Sequence, residues 1–193
     1  MSETALEAGE AAASVSRVLD APPALVFSLW TDPTHIAKWW MPEGFERVVC
    51  ESMDVRPGGH FHMRMHHRDG TVYLSRNTYS EVLPPARLVY EEVCEENGQP
   101  FHYAQLTVRF DAEDPRTPQR THLRIHARIR RVSGGDPKWT LDAMKLGWTH
   151  GWKDNLGMLG RYVASFSPGA ASDERGDEGD RQRGHNSLAG EEK

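Results

Sequence analysis

The sequence predicts an α+β domain in which a curved antiparallel sheet of about seven strands wraps around one long C-terminal helix. The first observation is the segment 136–165, where apolar residues recur at steps of three and four, as they do on one face of a helix. The second is the stretch from Phe45 to Arg131, where segments of alternating apolar and polar residues are separated by turn residues. A sheet with one apolar face needs a covering layer, and the long helix is the candidate.

The elements follow in order along the chain. Ser14–Asp20 alternates as a strand does, and prolines then introduce two short helices, Ala24–Trp30 and Thr34–Trp40. The later strands are predicted at Phe45–Val55, His60–His67, Thr71–Leu83, Arg87–Glu95, Phe101–Asp111 and Thr121–Arg131.

The C-terminal helix is predicted to begin at Asp136, which can cap it, with Pro137 in the first turn, where the missing N–H has no helical partner. Four of its residues are glycines: Gly147, Gly151, Gly157 and Gly160. Each costs about 1 kcal/mol relative to alanine in a helix. Either a close approach of helix and sheet or room for a ligand has to compensate for this loss of helix stability.

Composition excludes several classes of function. The 193 residues carry a net charge of −5, without the basic footprint of a nucleic-acid-binding domain. Cys50 and Cys94 lack Cys-x-x-Cys spacing, which favours reduced thiols. The acidic N-terminal segment has no apolar core of a signal peptide, and no apolar run approaches the ~20 residues of a membrane span. We therefore expect a cytoplasmic protein.

The domain boundaries follow from the same composition. We expect a disordered leader over residues 1–13, one folded domain over 14–165 and a disordered acidic tail over 166–193, where apolar residues are too sparse to offset the entropy of ordering.

Several motifs, taken in order, resemble a known family. They are Arg17–Phe27, Trp30–Pro33, Lys38–Pro42, Asp54–Gly59, Asp69-Gly70, Glu81–Val89 and Gly151-Trp152-x-x-x-Leu156-x-x-Leu159-x-x-Tyr162-Val163. Over residues 14–165 the chain resembles the SRPBCC (START-like) superfamily, in the branch similar to the C-terminal domain of the activator of heat-shock-protein-90 ATPase. One departure is visible, because many members carry a glycine in the fourth strand, where this chain has Ser75-Arg76-Asn77.

The resemblance implies a helix-grip fold with a cavity between the sheet and the C-terminal helix. Members of the superfamily bind lipids, hormones or polyketides, catalyse cyclisation, or act as co-chaperones. The function expected first is non-catalytic binding of a small apolar or lipid-like ligand. The alternatives are a co-chaperone that stimulates the heat-shock-protein-90 ATPase, and a cyclase-like or hydrolase-like pocket enzyme. The protein is expected as a monomer or homodimer, without a cofactor.

The candidate cavity-lining residues combine aromatic rings and methionines, which line apolar pockets, with the inward positions of one strand. They are Trp39, Trp40, Phe45, Met63, Met65, His102, Leu106, Val108, Met144, Trp148, Trp152 and Leu156. His102 shares its parity with the apolar positions of its strand, so it is either an acid–base group at the cavity or an ordinary hydrogen-bonding residue. No catalytic residue is assigned.

Two rows of histidines lie on predicted strands: His60, His62 and His66 on one, His122 and His126 on another. Both rows point away from the apolar face and alternate with arginines that would repel a cation, so no metal site is expected. Four outer arginines would form either a merely solvated face or a surface for a partner chaperone or an acidic tail, this chain's own included. They are Arg64, Arg124, Arg128 and Arg130.

Overall fold

The computed structural model describes residues 10–131 and 136–166. Ten elements follow one another: β1 (Glu10–Leu19), α1 (Pro23–Thr31), α2 (Pro33–Trp39), β2 (Phe45–Met53), β3 (His60–His67), β4 (Val72–Leu83), β5 (Arg87–Glu96), β6 (Gln99–Ala112), β7 (Thr121–Arg131) and α3 (Leu141–Ala164). The predicted leader and tail lie largely outside the described residues. β1 begins at Glu10, ahead of the predicted start at Ser14, because Glu10–Ala13 pair with β7.

The seven strands form one sheet in the order β1-β7-β6-β5-β4-β3-β2, and every neighbouring pair is antiparallel. The sheet is open and curved, and α3 packs against β1, β7 and α2. This arrangement confirms the predicted helix-grip α+β fold with two short helices after the first strand.

Each short helix begins as its sequence predicts. α1 starts with a proline in its first turn, where the absent N–H would have no helical partner. α2 is capped by Asp32, whose Oδ1 accepts a hydrogen bond of 2.7 Å from the Thr34 backbone N–H. The helices bring two tryptophans into the core, because the side chains of Trp30 and Trp39 are fully buried.

The predicted start of the long helix is wrong. α3 begins at Leu141, with Thr140 as its N-cap and a 3.1 Å bond from the Ala143 N–H to the Thr140 hydroxyl. Asp136 instead closes a turn by accepting the Lys138 N–H at 2.9 Å. The turn directs Trp139 onto the sheet, where it stacks on Phe101 at 4.6 Å. Helical backbone from residue 136 onward would leave that contact unmade.

The apolar face of α3 covers the sheet. Met144, Trp148, Trp152, Leu156, Leu159 and Val163 are all buried. Trp152 stacks on Trp30 with ring centroids 5.5 Å apart and planes 3° from parallel. Such aromatic pairs add roughly 0.5–1.5 kcal/mol to the free energy gained from burial, so this stack fixes α3 against α1.

Candidate functional site

A cavity of about 280 Å³ lies between α3 and the inner face of the sheet. Its lining comprises Trp40, Pro42, Phe45, Met65, His67, Tyr73, Glu92, Cys94, Phe101, His102, Trp139, Met144, Gly147, Trp148, Gly151, Trp152 and Asn155. Gly147 is exposed as well as lining, so it lies at the rim. Strands β3 to β6 supply the floor and α3 supplies the roof.

Tryptophans form the apolar wall of the cavity. Trp40 meets Trp152 edge to face at 4.7 Å, and Trp148 lies 6.0 Å from Trp152. Because Trp152 also stacks on Trp30, the ring has little freedom to turn. The wall is therefore a preformed aromatic surface.

Glu96 fixes two aromatic rings of the cavity lining, those of Tyr73 and Trp139. Its carboxylate accepts hydrogen bonds from Tyr73 Oη at 2.9 Å and from Trp139 Nε1 at 3.2 Å, and it pairs with Lys138 Nζ at 2.9 Å. Burial raises the pKa of Glu96, but the hydrogen bonds from Lys138, Trp139 and Tyr73 together outweigh burial and lower it. The ionised Glu96 thus anchors two lining rings.

A chain of buried hydrogen bonds leads to the cavity, and we call it the polar relay: Asn77, Ser75, Glu92 and His102. Glu92 and His102 line the cavity. Asn77 Nδ2 donates to Ser75 Oγ at 2.8 Å, and Ser75 Oγ donates to Glu92 Oε1 at 2.7 Å. Glu92 Oε2 lies 3.3 Å from His102 Nε2. All four residues are at least nine-tenths buried. A buried carboxylate requires such donors because its desolvation is costly.

A β-bulge beside His102 turns Phe101 inward. The register of β5 and β6 places His102 opposite Cys94 but Pro100 opposite Glu95, so Phe101 is an extra residue on β6. Phe101 and His102 are both buried, although consecutive residues of a regular strand face opposite ways. Bulges redirect side chains in this manner, and here the result is that Phe101 joins His102 in the lining of the cavity.

Three of the lining residues carry a buried polar atom without a hydrogen-bond partner among residues 10–131 and 136–166. The atoms are His102 Nδ1, Trp148 Nε1 and Asn155 Oδ1. Buried polar atoms are normally paired. These three atoms belong to the lining of one cavity, where polar groups of a ligand can pair with them.

Two further ionisable groups of the lining are held neutral. Burial raises the pKa of the Cys94 thiol well above its usual value, and the charge of Glu92 raises it further. Burial and the hydrogen bond to Glu96 raise the pKa of Tyr73. Cys94 therefore lies beside His102 as a thiol, and a thiol is a weak nucleophile.

The predicted lining residues divide into two groups, and all but Phe45 are buried. The residues that the structure brings together around the cavity are Trp40, Phe45, Met65, His102, Met144, Trp148 and Trp152. Those that it places in the surrounding core are Trp39, Met63, Leu106, Val108 and Leu156. Trp39, for example, packs on Trp30 at 4.9 Å and donates to the Leu29 carbonyl at 2.9 Å.

Sequence reasoning found His102 but missed Glu92 and Asn155, two other polar members of the lining. Glu92 shares the parity of Leu88, Tyr90 and Cys94 on β5, so strand alternation alone could have identified it. Asn155 lies seven residues after Trp148 on α3, a spacing that returns to the same helix face. Phe101 carried no such signal, because the bulge breaks the alternation.

The arginines of the outer sheet face are internally paired. Arg64 pairs with Glu51, Arg124 with Asp111, and Arg128 and Arg130 both with Glu10. The predicted histidine rows lie on the same partly solvated face. In the described part of the chain no group of three or more His, Cys, Asp or Glu side chains could hold a metal ion.

The family model described as "Activator of Hsp90 ATPase homolog 1-like protein" matches residues 20–164. The chain therefore belongs to this family. Its predicted membership of this SRPBCC branch is confirmed by a match over most of the chain together with the helix-grip fold.

Solved structures of bacterial proteins share the fold. A protein from Rhizobium leguminosarum is 24% identical, with a TM-score of 0.67 over 83% of this chain and 99% of its own. A protein from Chromobacterium violaceum is 25% identical, with a TM-score of 0.63 over 79% and 96%. An AHSA1 protein from Silicibacter pomeroyi is 19% identical, with a TM-score of 0.59 over 80% and 98%. No curated protein matches the chain.

No helix within residues 10–131 and 136–166 is long and apolar enough to cross a membrane.

Proposed function

We propose that the protein binds a small, predominantly apolar ligand in the cavity beneath α3. The observation that carries the proposal is the combination of a tryptophan-walled cavity of about 280 Å³ with unpaired polar atoms in its lining. Ligand sites are built this way, with apolar walls and a few polar groups that fix orientation.

The size of the cavity narrows the class of ligand. Ligand pockets span about 300–1,000 Å³, and this cavity, at about 280 Å³, lies just below that range. A compact ring system fits such a space better than a lipid with long acyl chains does. The aromatic wall offers flat faces on which a planar ring can stack.

Thermal unfolding with a panel of compact aromatic compounds tests the proposal. A ligand present at about 100 times its Kd stabilises the folded state by ~2.7 kcal/mol. For a protein of this size, that corresponds to roughly 5–10 °C in Tm. Native mass spectrometry of the freshly purified protein tests in parallel for a bound small molecule. The absence of a Tm shift across the panel, together with an empty native spectrum, would contradict the proposal.

A blocking variant localises the binding. No heavy atom outside the local helix backbone lies within 4 Å of the position of a Cβ at Gly147, so the Cβ of Gly147→Leu meets no clash. The rest of the leucine side chain is added at the rim of the cavity. Lys145→Leu adds the same side chain at an exposed position of the same helix. Ligand-induced stabilisation should be lost in Gly147→Leu and retained in Lys145→Leu.

The family description favours a second candidate, stimulation of an Hsp90-type ATPase. Such an activity depends on an outer surface, whereas ligand binding depends on the cavity. An ATPase assay with a purified bacterial Hsp90 chaperone distinguishes them. Stimulation that persists in Gly147→Leu would support the co-chaperone function, and no stimulation by the wild-type protein would exclude it for that chaperone.

A further inference from the structure

The polar relay ends in a free nitrogen. A carboxylate only accepts hydrogen bonds. One oxygen of Glu92 accepts from Ser75, and the other lies 3.3 Å from His102 Nε2. We therefore assign the proton of His102 to Nε2, which donates to Glu92. His102 Nδ1 then carries a lone pair, and it has no partner among the residues that the structure describes. The relay therefore presents a hydrogen-bond acceptor in the lining of the cavity.

The direction of the relay is set at its far end. Asn77 Nδ2 donates to the Phe61 carbonyl at 3.2 Å and to Ser75 Oγ at 2.8 Å. Because Ser75 Oγ receives that bond, its own proton is free to go to Glu92. Each member orients the next, and His102 is left with one tautomer and one ring orientation, as a carboxylate does for a histidine base in enzymes.

We propose that His102 is the proton acceptor for the ligand of this cavity, and that the ligand is a planar aromatic or enolic compound with a weakly acidic hydroxyl group. The inference rests on the proposed function and names its ligand class. The ligand hydroxyl donates to His102 Nδ1, Glu92 is the positioning residue, and the indole N–H of Trp148 is a free donor in the same cavity for a ligand oxygen.

The proton transfer that this arrangement allows is balanced within the complex. The O–H bond of the ligand breaks, its proton forms an N–H bond at His102 Nδ1, and the electron pair stays on the ligand oxygen. The resulting imidazolium lies between the ligand oxyanion and the Glu92 carboxylate, so neither new charge is left without a counter-charge. No oxidant or reductant is needed.

The other ionisable groups of the lining do not compete for this role. The pKa values of Cys94 on β5 and Tyr73 on β4 are raised, mainly by burial, which keeps both groups neutral. His67, at the end of β3, pairs with the exposed Asp69 at 2.9 Å. Helix α3 contributes only uncharged side chains to the described lining.

A matched pair of probes tests the inference. 4-Nitrophenol carries the acidic hydroxyl, and 4-nitroanisole carries a methyl ether in its place. Loss of one buried hydrogen bond corresponds to about a tenfold change in Kd, so the wild-type protein should bind 4-nitrophenol about tenfold more tightly. The absorption band of nitrophenolate should also be stronger for the bound probe than for the free probe at the same pH.

Neighbouring glutamates on β5 provide the variant and its control. Glu92→Gln keeps the shape of the side chain and removes the carboxylate, whereas Glu91→Gln makes the same change on the outer face, where Glu91 accepts from Gln105. The preference for 4-nitrophenol and the nitrophenolate band should disappear in Glu92→Gln and remain in Glu91→Gln. His102→Gln, compared with the outer-face His126→Gln, is the second pair if Glu92→Gln does not fold.

The outcomes separate the inference from the proposed function. Equal binding of the two probes by the wild-type protein, or a preference that survives in both Glu92→Gln and His102→Gln, would overturn the role of His102 and leave the ligand cavity in place. Failure of both probes to bind would overturn the inference as well. In that case the proposed function stands only if other compounds of the thermal panel stabilise the wild-type protein and not Gly147→Leu.

Discussion

Gly147→Ala is expected to stabilise the protein, although it alters a residue at the rim of the candidate site. Glycine in a helix costs about 1 kcal/mol relative to alanine. Gly147 is exposed, and no atom outside its local helix backbone lies within 4 Å of the position that a Cβ would take. The gain in helix propensity therefore meets no steric opposition.

The expected gain is about 1 kcal/mol, which corresponds to an increase of roughly 2–4 °C in Tm for a protein of this size. Urea unfolding at equilibrium measures the free energy directly, and thermal scans confirm its sign. The slope of the urea dependence should not change, because the surface exposed on unfolding is the same. A loss of stability in Gly147→Ala would refute the conclusion that the rim is open space.

Gly160 is the matched control on the same helix. A Cβ at Gly160 would lie 2.8 Å from Nε and 3.0 Å from Nη2 of Arg17 on β1. The guanidinium would have to move off the helix, which offsets the gain in helix propensity. Gly160→Ala should therefore stabilise the protein by less than Gly147→Ala. The reverse order would contradict open space beside Gly147 and close contact of Gly160 with Arg17.

Three more predictions concern the walls of the cavity. Glu96→Gln should lower the free energy of unfolding by about 1 kcal/mol at neutral pH, because it weakens the hydrogen bonds that hold Trp139. Because the pKa of Glu96 is lowered in the folded protein, this stabilisation is complete above the ordinary glutamate pKa and is lost as the pH falls through the pKa of the folded state. The Tm values of variant and wild type should therefore converge in acid. Trp152→Ala should cost about 3–5 kcal/mol by urea unfolding, because it removes a buried ring from the stack on α1. Cys94 is buried and its pKa is strongly raised, so it should react with a thiol reagent much more slowly than the half-buried Cys50. A cavity ligand should slow the reaction of Cys94 alone. Equal rates of Cys94 with and without the ligand would contradict the placement of Cys94 in the lining.

Periodicity predicted most of the fold because each element buries one regular face. The alternation in β3 and β7 and the steps of three and four in α3 are direct consequences of strand and helix geometry, and the structure reproduces them. The start of α3 was predicted wrongly for a local reason. Asp136 and Pro137 form a plausible helix start, yet the tertiary contact of Trp139 with Phe101 outweighs that local preference.

The site could be predicted only in part, because the bulge in β6 and the curvature of the sheet have no signal in the alternation of residues. Trp148, Trp152 and His102 were found by the parity of their elements. Phe101 was not, because a bulge places it and His102 on the same side of β6. The division of the apolar candidates between cavity and core depends on the curvature of the sheet, and alternation carries no information about curvature.

The polar relay is difficult to explain by stability alone. Burying a carboxylate costs several kcal/mol, and buried ionic groups can often be replaced by packed apolar residues without loss of stability. Ser75 and Asn77 supply the donors that support Glu92. The relay ends at His102 in the lining of the cavity. This position favours a role in recognising a ligand over a role in holding the sheet together.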